Sequence, residues 1–141
     1  CSNREGVSYF QGRDMTGEHE LRYASPAAPR EDSIVIVWPE DDDRKGLVVC
    51  EGPTDALAAA AVGYVGIGLM GNQPTLEVLE HVTVYARAIA PVLIVPDVDM
   101  LEFGSVVSCH LAQFGIAAQV LLPYDKDLAS MTPRRRESFL G

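Results

Sequence analysis

The sequence has few cysteines and no long hydrophobic run. Its three cysteines, Cys1, Cys50 and Cys109, lie far apart, without a CxxC pair or a histidine at zinc-ligand spacing. We therefore expect reduced thiols and no zinc site. No apolar run approaches the roughly 20 residues that span a bilayer, and no signal peptide opens the chain. These absences predict a cytoplasmic protein without membrane contact.

Basic residues are also scarce, which argues against a protein that coats DNA. Eleven Lys and Arg oppose twenty Asp and Glu, for a net charge of −9, whereas non-specific DNA binding depends on many basic groups that release counterions from phosphates. The charge is unevenly distributed, however. Residues 46–130 carry nine acids and two basic residues, while residues 131–141 carry three arginines and one acid. The acidic centre and the basic end therefore need separate explanations.

Strand-like runs alternate with helical patterns along the chain. Residues 7–11 and 21–24 are typical of a β-hairpin joined by a turn at 14–17. Further strands are predicted at 34–38, 47–51, 64–69, 92–95 and 117–122, and helices at 54–62, after Pro74, at 103–114 and after Thr132. This order predicts an α/β fold with a doubly wound, mainly parallel sheet, helices on both faces and an N-terminal β-hairpin.

The pattern divides the chain into three segments. Residues 1–45 comprise the basic hairpin and an acidic connector, residues 46–130 the α/β core, and residues 131–141 a short basic helix. Thr132 and Pro133 suit the N-cap and first position of that helix. Its three consecutive arginines are either an exposed helix end, which we favour, or a second contact to nucleic acid.

Acidic residues follow three predicted strands at corresponding points. They are Glu51 and Asp55 after the first core strand, Asp97 and Asp99 after the third, and Asp125 and Asp127 after the last. Ligands of α/β sheets bind beyond the carboxyl ends of the strands, so we expect these carboxylates to lie close together. Their mutual repulsion would raise some pKa values unless a cation were bound. Oxygen ligands without Cys or His suit Mg²⁺ or Mn²⁺, which points to phosphoryl or nucleotidyl transfer.

The same residues resemble the motifs of the Toprim domain, which is shared by bacterial-type primases, topoisomerases, recombination proteins and certain nucleases. Residues 48–57, VVCEGPTDAL, are similar to the family's strand, Glu-Gly turn and helix. Residues 93–99, LIVPDVD, are similar to its apolar strand ending in DxD. The resemblance covers most of residues 47–127 and implies a Toprim-like fold over the α/β core.

The resemblance also implies roles for individual acids. Glu51 would be the general acid or base of phosphoryl transfer, and Asp97 and Asp99 would bind Mg²⁺ or Mn²⁺. The lesser members of the metal cluster would be Asp55 and Asp127, with Asp125 as an alternative to Asp127.

The segment before the α/β core indicates which class of Toprim-containing proteins the chain resembles. Residues 9–17 and 22–26 are similar to the Gly-Arg hairpin and the basic-Tyr-x-Ser-Pro stretch that precede Toprim in primases of bacteria and phages. By this resemblance Arg13 and Arg22 contact template or nucleotide phosphates, and Lys45 is a further candidate. The chain departs from the primase pattern after the DxD motif, where the expected small residue and Gly are missing. This departure allows a longer loop, a later start of the next helix and a Glu102 side chain that points at the site.

The resemblance implies the catalytic core of a DNA primase. Such a nucleotidyltransferase makes short RNA primers on single-stranded DNA from ribonucleotide triphosphates during replication, and a replicative helicase, fused or separate, is a further expected partner. Two alternatives remain: a Toprim-type metal-dependent nuclease, and a non-catalytic module that binds nucleic acid or a helicase. A DxDxT phosphatase is disfavoured because Leu101 occupies the Thr position. A topoisomerase is disfavoured because the chain offers no evident place for the strand-cutting Tyr and its domain.

Overall fold

The computed structural model describes residues 34–40, 43–71 and 73–141, together with the backbone of four two-residue strands nearer the amino terminus. These strands are β1 (Ser2–Asn3), β2 (Gly6–Val7), β3 (Gly12–Arg13) and β4 (Tyr23–Ala24). They form two antiparallel pairs, β1 with β2 and β3 with β4. The second predicted hairpin strand, at 21–24, thus includes β4, whereas the partner of β4 lies just beyond the predicted first strand at 7–11.

A five-stranded mixed sheet forms the centre of the α/β fold. Its strands are β5 (Val35–Val37), β6 (Leu47–Cys50), β7 (Val65–Gly68), β8 (Val92–Val95) and β9 (Ala118–Val120). The order is β5-β7-β6-β8-β9, with β5 antiparallel to β7 and every other pair parallel. Cys50 of β6 is opposite Val95 of β8, so the carboxyl ends of these neighbouring strands lie side by side.

Four helices connect or follow the strands of this sheet. They are α1 (Pro53–Ala60), α2 (Leu76–Ala88), α3 (Leu101–Gln113) and α4 (Pro133–Leu140). Local sequence explains where three of them begin. Proline occupies the first turn of α1 and α4, and the hydroxyls of Thr75 and Thr132 accept hydrogen bonds from backbone N–H groups in the first turns of α2 and α4.

Alternate residues of β6 belong to different hydrophobic clusters. Leu47 and Val49 pack with residues of α2 and α3, whereas Val48 packs with residues of α1, with Leu140 of α4 and with the chain between β9 and α4. Side chains of a strand point alternately to its two faces, which explains the division. All residues of β6, β7 and β8 are buried, and each fully buried Val, Leu or Ile side chain contributes about 1.5–3 kcal/mol to folding.

The expectation of a later start for α3 is wrong. The N–H of Met100 donates a hydrogen bond of 3.0 Å to the carbonyl of Asp97, and the N–H of Phe103 donates one of 3.1 Å to the carbonyl of Met100. The chain therefore turns within the DxD motif, at Val98 and Asp99, and α3 begins at Leu101. Glu102 lies in its first turn and is exposed.

Within the described ranges, none of the helices combines the length and the hydrophobicity needed to cross a membrane.

Candidate functional site

The carboxylate of Glu51 contacts the chain that follows β8. Glu51 is the first residue after β6, and its Oε1 accepts a hydrogen bond of 3.1 Å from the backbone N–H of Asp97. This contact is possible because β6 and β8 are parallel neighbours in the sheet. It joins the Glu-Gly turn to the DxD motif, as expected for polar groups at the carboxyl ends of adjacent strands.

The surroundings of Glu51 favour its protonated form. Burial raises the pKa of Glu51 from 4.5 to about 7; the hydrogen bond from Asp97 opposes the rise, and the charges of Asp97, Asp99 and Asp55 add to it. These three aspartates are therefore close enough to act on Glu51 electrostatically. A carboxyl group with a pKa near 7 can donate or accept a proton at neutral pH, which is the requirement for general acid–base catalysis.

Asp55 links this pair of strands to the chain that follows β9. It lies in the first turn of α1 and is 6% exposed, and its Oδ1 accepts a hydrogen bond of 2.8 Å from the N–H of Ala129. Burial raises the pKa of Asp55 from 3.8 to about 6, the hydrogen bond from Ala129 lowers it, and the charges of Asp127 and Asp97 raise it further. The pKa of Asp55 thus depends on an acid that follows β8 and on one that follows β9.

The two acids that follow β9 have different surroundings. Asp125 forms an ion pair with Arg135, whose Nη1 lies 2.9 Å and 3.3 Å from the two carboxylate oxygens. Asp127 accepts a hydrogen bond of 2.7 Å from the N–H of Ser130, and its charge acts on Asp55. Asp127 therefore acts electrostatically on Asp55, whereas Asp125 is paired with Arg135.

We refer to Glu51, Asp55 and the three acids whose charges act on them as the acidic cluster. Its members are Glu51, Asp55, Asp97, Asp99 and Asp127. Among the residues that the structure describes, no three His, Cys, Asp or Glu side chains form a ready-made metal-binding group. The donor chemistry nevertheless fits a hard divalent cation, because every donor is a carboxylate oxygen and Mg²⁺ commonly takes only one or two protein carboxylates besides water and phosphate.

Cys50 is the last residue of β6 and precedes Glu51 directly. It is 1% exposed, and its thiol donates a hydrogen bond of 3.3 Å to the carbonyl of Ile67. Burial raises the pKa of Cys50, and the charges of Asp55, Asp97 and Glu51 raise it further. The thiol therefore stays protonated and packs as a small apolar group.

Of the three basic residues predicted to bind phosphate, the structure describes the side chain of Lys45, which lies away from the acidic cluster. Lys45 precedes β6, its N–H donates to the carbonyl of Gly63, and its side chain lies beside that glycine. It lies before β6 and Glu51 lies after it, a separation of roughly 20 Å along an extended chain. Arg13 belongs to β3, but its side chain lies outside the described part of the structure, as does the whole of Arg22.

The three consecutive arginines of α4 differ in environment. Arg134 is exposed, and Arg135 pairs with Asp125. Arg136 is 9% exposed and donates hydrogen bonds to backbone carbonyls. The exposed helix end that the sequence favours is thus correct for Arg134 and Arg135 and wrong for Arg136. Its spacing of four residues from the buried Leu140 is the sequence signal that places Arg136 on the packed side of α4.

Comparison with known family models, curated proteins and solved structures gave no match.

Proposed function

We propose that this chain is the catalytic core of a cytoplasmic DNA primase with a Toprim-like, doubly wound fold. The observation that carries the proposal is the hydrogen bond from the N–H of Asp97 to Glu51, which joins the two motifs that resemble Toprim. The parallel order β7-β6-β8-β9 and the division of β6 between two hydrophobic clusters support the doubly wound arrangement. The substrates would be ribonucleotide triphosphates on a single-stranded DNA template, and a replicative helicase would be the partner in replication.

The acidic cluster is proposed to hold Mg²⁺ or Mn²⁺. Asp97 and Asp99 would bind the ion, and Asp55 and Asp127 would balance its charge. The charges of neighbouring aspartates, which raise the pKa values of Glu51 and Asp55 beyond the effect of burial, support this assignment, since carboxylates that repel one another attract a divalent cation strongly. When bound, the ion would neutralise the negative charge of the triphosphate during nucleotidyl transfer.

Glu51 is proposed to move the proton that nucleotidyl transfer releases. One of its oxygens, Oε1, is held by the N–H of Asp97, which fixes the side chain, and we assign proton transfer to Oε2. With a pKa of about 7 the carboxylate accepts a proton from the 3′ hydroxyl of a primer more readily than an ordinary glutamate does. Arg13 and Arg22 are proposed to hold template or nucleotide phosphates.

Primer synthesis on a single-stranded oligonucleotide, with labelled ribonucleotide triphosphates and Mg²⁺, tests the proposal. We expect the wild-type chain to make short RNA, and Glu51→Gln to slow synthesis by roughly 10²- to 10⁴-fold, the usual contribution of an acid–base group. Asp97→Asn, which removes a proposed ligand of the ion, should slow synthesis as well. Asp125→Asn is the matched control, because Asp125 pairs with Arg135, and it should retain wild-type activity.

The other outcomes separate the alternatives. Cleavage of a labelled template without synthesis would identify a nuclease that uses the same acids. Binding of single-stranded DNA without either reaction would identify a non-catalytic module. Unchanged synthesis by Glu51→Gln would remove Glu51 from the mechanism.

A further inference from the structure

We infer that Arg136 is a positioning residue for the acidic cluster. Residues 127–131, which we call the 127–131 segment, carry Asp127 and supply the N–H group that binds Asp55. Arg136 holds this segment against α1. The inference extends the proposed function, on which it rests for the meaning of the cluster, but the contacts that support it are independent of any bound metal.

The guanidinium group of Arg136 donates hydrogen bonds to carbonyls of two separate elements. Nε donates to Leu128 at 3.0 Å, and Nη2 donates to Met131 at 2.6 Å and to Ala129 at 3.3 Å, all in the 127–131 segment. Nη1 donates to Ala58 of α1 at 3.4 Å. The carbonyl of Ala58 is among the last four of α1, which a helix cannot satisfy internally and where its dipole favours a cation.

The other side of the 127–131 segment faces the acidic cluster. Ala129, whose carbonyl binds Arg136, donates its N–H to Asp55 Oδ1 at 2.8 Å. Ser130 closes the segment on itself by donating its N–H to Asp127 Oδ1 and its hydroxyl to the Asp127 carbonyl, each at 2.7 Å. Arg136 therefore binds the carbonyl of Ala129, and Asp55 binds the N–H of the same residue. The contact with Asp55 belongs to the proposed metal site.

The chemistry of the contacts requires arginine. A guanidinium group presents five N–H donors in a fixed planar arrangement, whereas a lysine ammonium has three donors on a flexible chain. Lysine at this position would keep the charge but could not reach all these carbonyls at once. Buried carbonyls left without partners are costly, so the 127–131 segment would move to reach water and would carry the Ala129 N–H and Asp127 away from Asp55.

Arg136→Lys tests the inference, with Arg134→Lys, an exposed position on the same helix, as its matched control. The first measurement is amide hydrogen exchange in the metal-free protein: we expect exchange at Ala129 to become at least about tenfold faster in Arg136→Lys while the amides of β6 keep their protection. The second is Mn²⁺ affinity by electron paramagnetic resonance, which should fall about 10- to 100-fold, as for other residues that orient metal ligands. Arg134→Lys should match the wild type in both.

A third variant separates positioning from general stability. Val82→Ala removes a fully buried side chain of α2 from the cluster on the other side of β6, so it destabilises the protein without touching the 127–131 segment. Its Mn²⁺ affinity should equal that of the wild type. If Arg136→Lys does not fold, hydrogen exchange of the wild type under weak denaturant tests the inference instead. The amides of Ala129 and of α4 should open together in that experiment, because Arg136 joins the two elements.

Two results would overturn the inference. One is an Arg136→Lys protein whose Ala129 exchange and Mn²⁺ affinity equal those of Arg134→Lys. The other is a wild-type protein in which Ala129 stays protected while α4 opens. A wild type that binds no Mn²⁺ would count against the proposed function alone, since the exchange of Ala129 would still report whether Arg136 positions the contact to Asp55.

Discussion

Asp55→Asn is expected to stabilise the metal-free protein progressively as the pH rises. The pKa of Asp55 in the folded protein is raised from 3.8 to about 6, chiefly by burial. The folded state therefore binds this proton more tightly than the unfolded state. The resulting stability is complete below pH 3.8 and is lost as the pH rises through 6. Asparagine is nearly isosteric, stays neutral and keeps an oxygen that can accept the hydrogen bond from Ala129.

The size of the effect follows from the two pKa values. A pKa raised from 3.8 to about 6 corresponds to about 3 kcal/mol between acidic and alkaline pH, and about half of that, about 1.5 kcal/mol, is lost between pH 5 and pH 8. Any constant difference between asparagine and a protonated aspartate cancels when the two pH values are compared. A pH below 5 is unsuitable because the sequence pI is near 4.6, where the chain carries little net charge to keep it in solution.

Urea unfolding followed by circular dichroism, in EDTA, measures the effect. The free energy of unfolding of Asp55→Asn minus that of the wild type should be larger at pH 8 than at pH 5 by about 1.5 kcal/mol. Asp125→Asn should change stability by less than about 1 kcal/mol at either pH, since the exposed pair with Arg135 contributes little. An equal difference for Asp55→Asn at both pH values would refute the claim that burial and neighbouring acids disfavour its ionised form.

Two further predictions concern Glu51 and the packing of β7 on α1. Carbon-13 NMR of the Glu51 carboxyl group should give a pKa of about 7 without metal and a lower one with Mg²⁺; titration near 4.5 in the metal-free protein would contradict the electrostatics of the acidic cluster. Gly66→Ala should lower the free energy of unfolding by about 3 kcal/mol in urea unfolding, because an added Cβ would meet the backbone of Ala56 in α1. Gly115→Ala, where space is open but φ is +72°, should cost only about 1 kcal/mol, and equal losses in the two variants would contradict this account of Gly66.

The strands at the centre of the sheet could be predicted because their sequences are unambiguous. Residues 47–50 and 92–95 are wholly apolar and rich in β-branched side chains, a pattern typical of strands buried on both faces, and β6 and β8 lie there. The start of α3 could not be predicted in the same way. It depends on the turn from Asp97 to Met100, and the N-cap of α3 is Met100, which has no side-chain oxygen for capping.

The acids could be predicted as site residues because they follow strands in the sequence. Their individual environments could not, because these depend on tertiary contacts. Asp125 and Asp127 are equivalent in the sequence, and they differ because α4 packs where Arg135 meets Asp125. The position of Lys45 relative to the acids follows from its place in the sequence before β6. A residue that precedes a strand lies at the edge of a parallel sheet opposite to the one where ligands bind.

The register of β6 and β8 has a consequence for the divergence and redesign of this protein. Glu51 is one residue beyond Cys50 and Asp97 is two beyond Val95, and these strand residues are opposite each other. The separation of the two carboxyl-bearing residues is therefore set by the fixed spacing of hydrogen-bonded strands, about 4.8 Å, and not by the length of any loop. Changes in the length of loops farther along the chain would leave the pair intact. Under the proposed function, substrate preference could accordingly be changed by exchanging such loops, while the position of Glu51 beside Asp97 remained a property of the sheet.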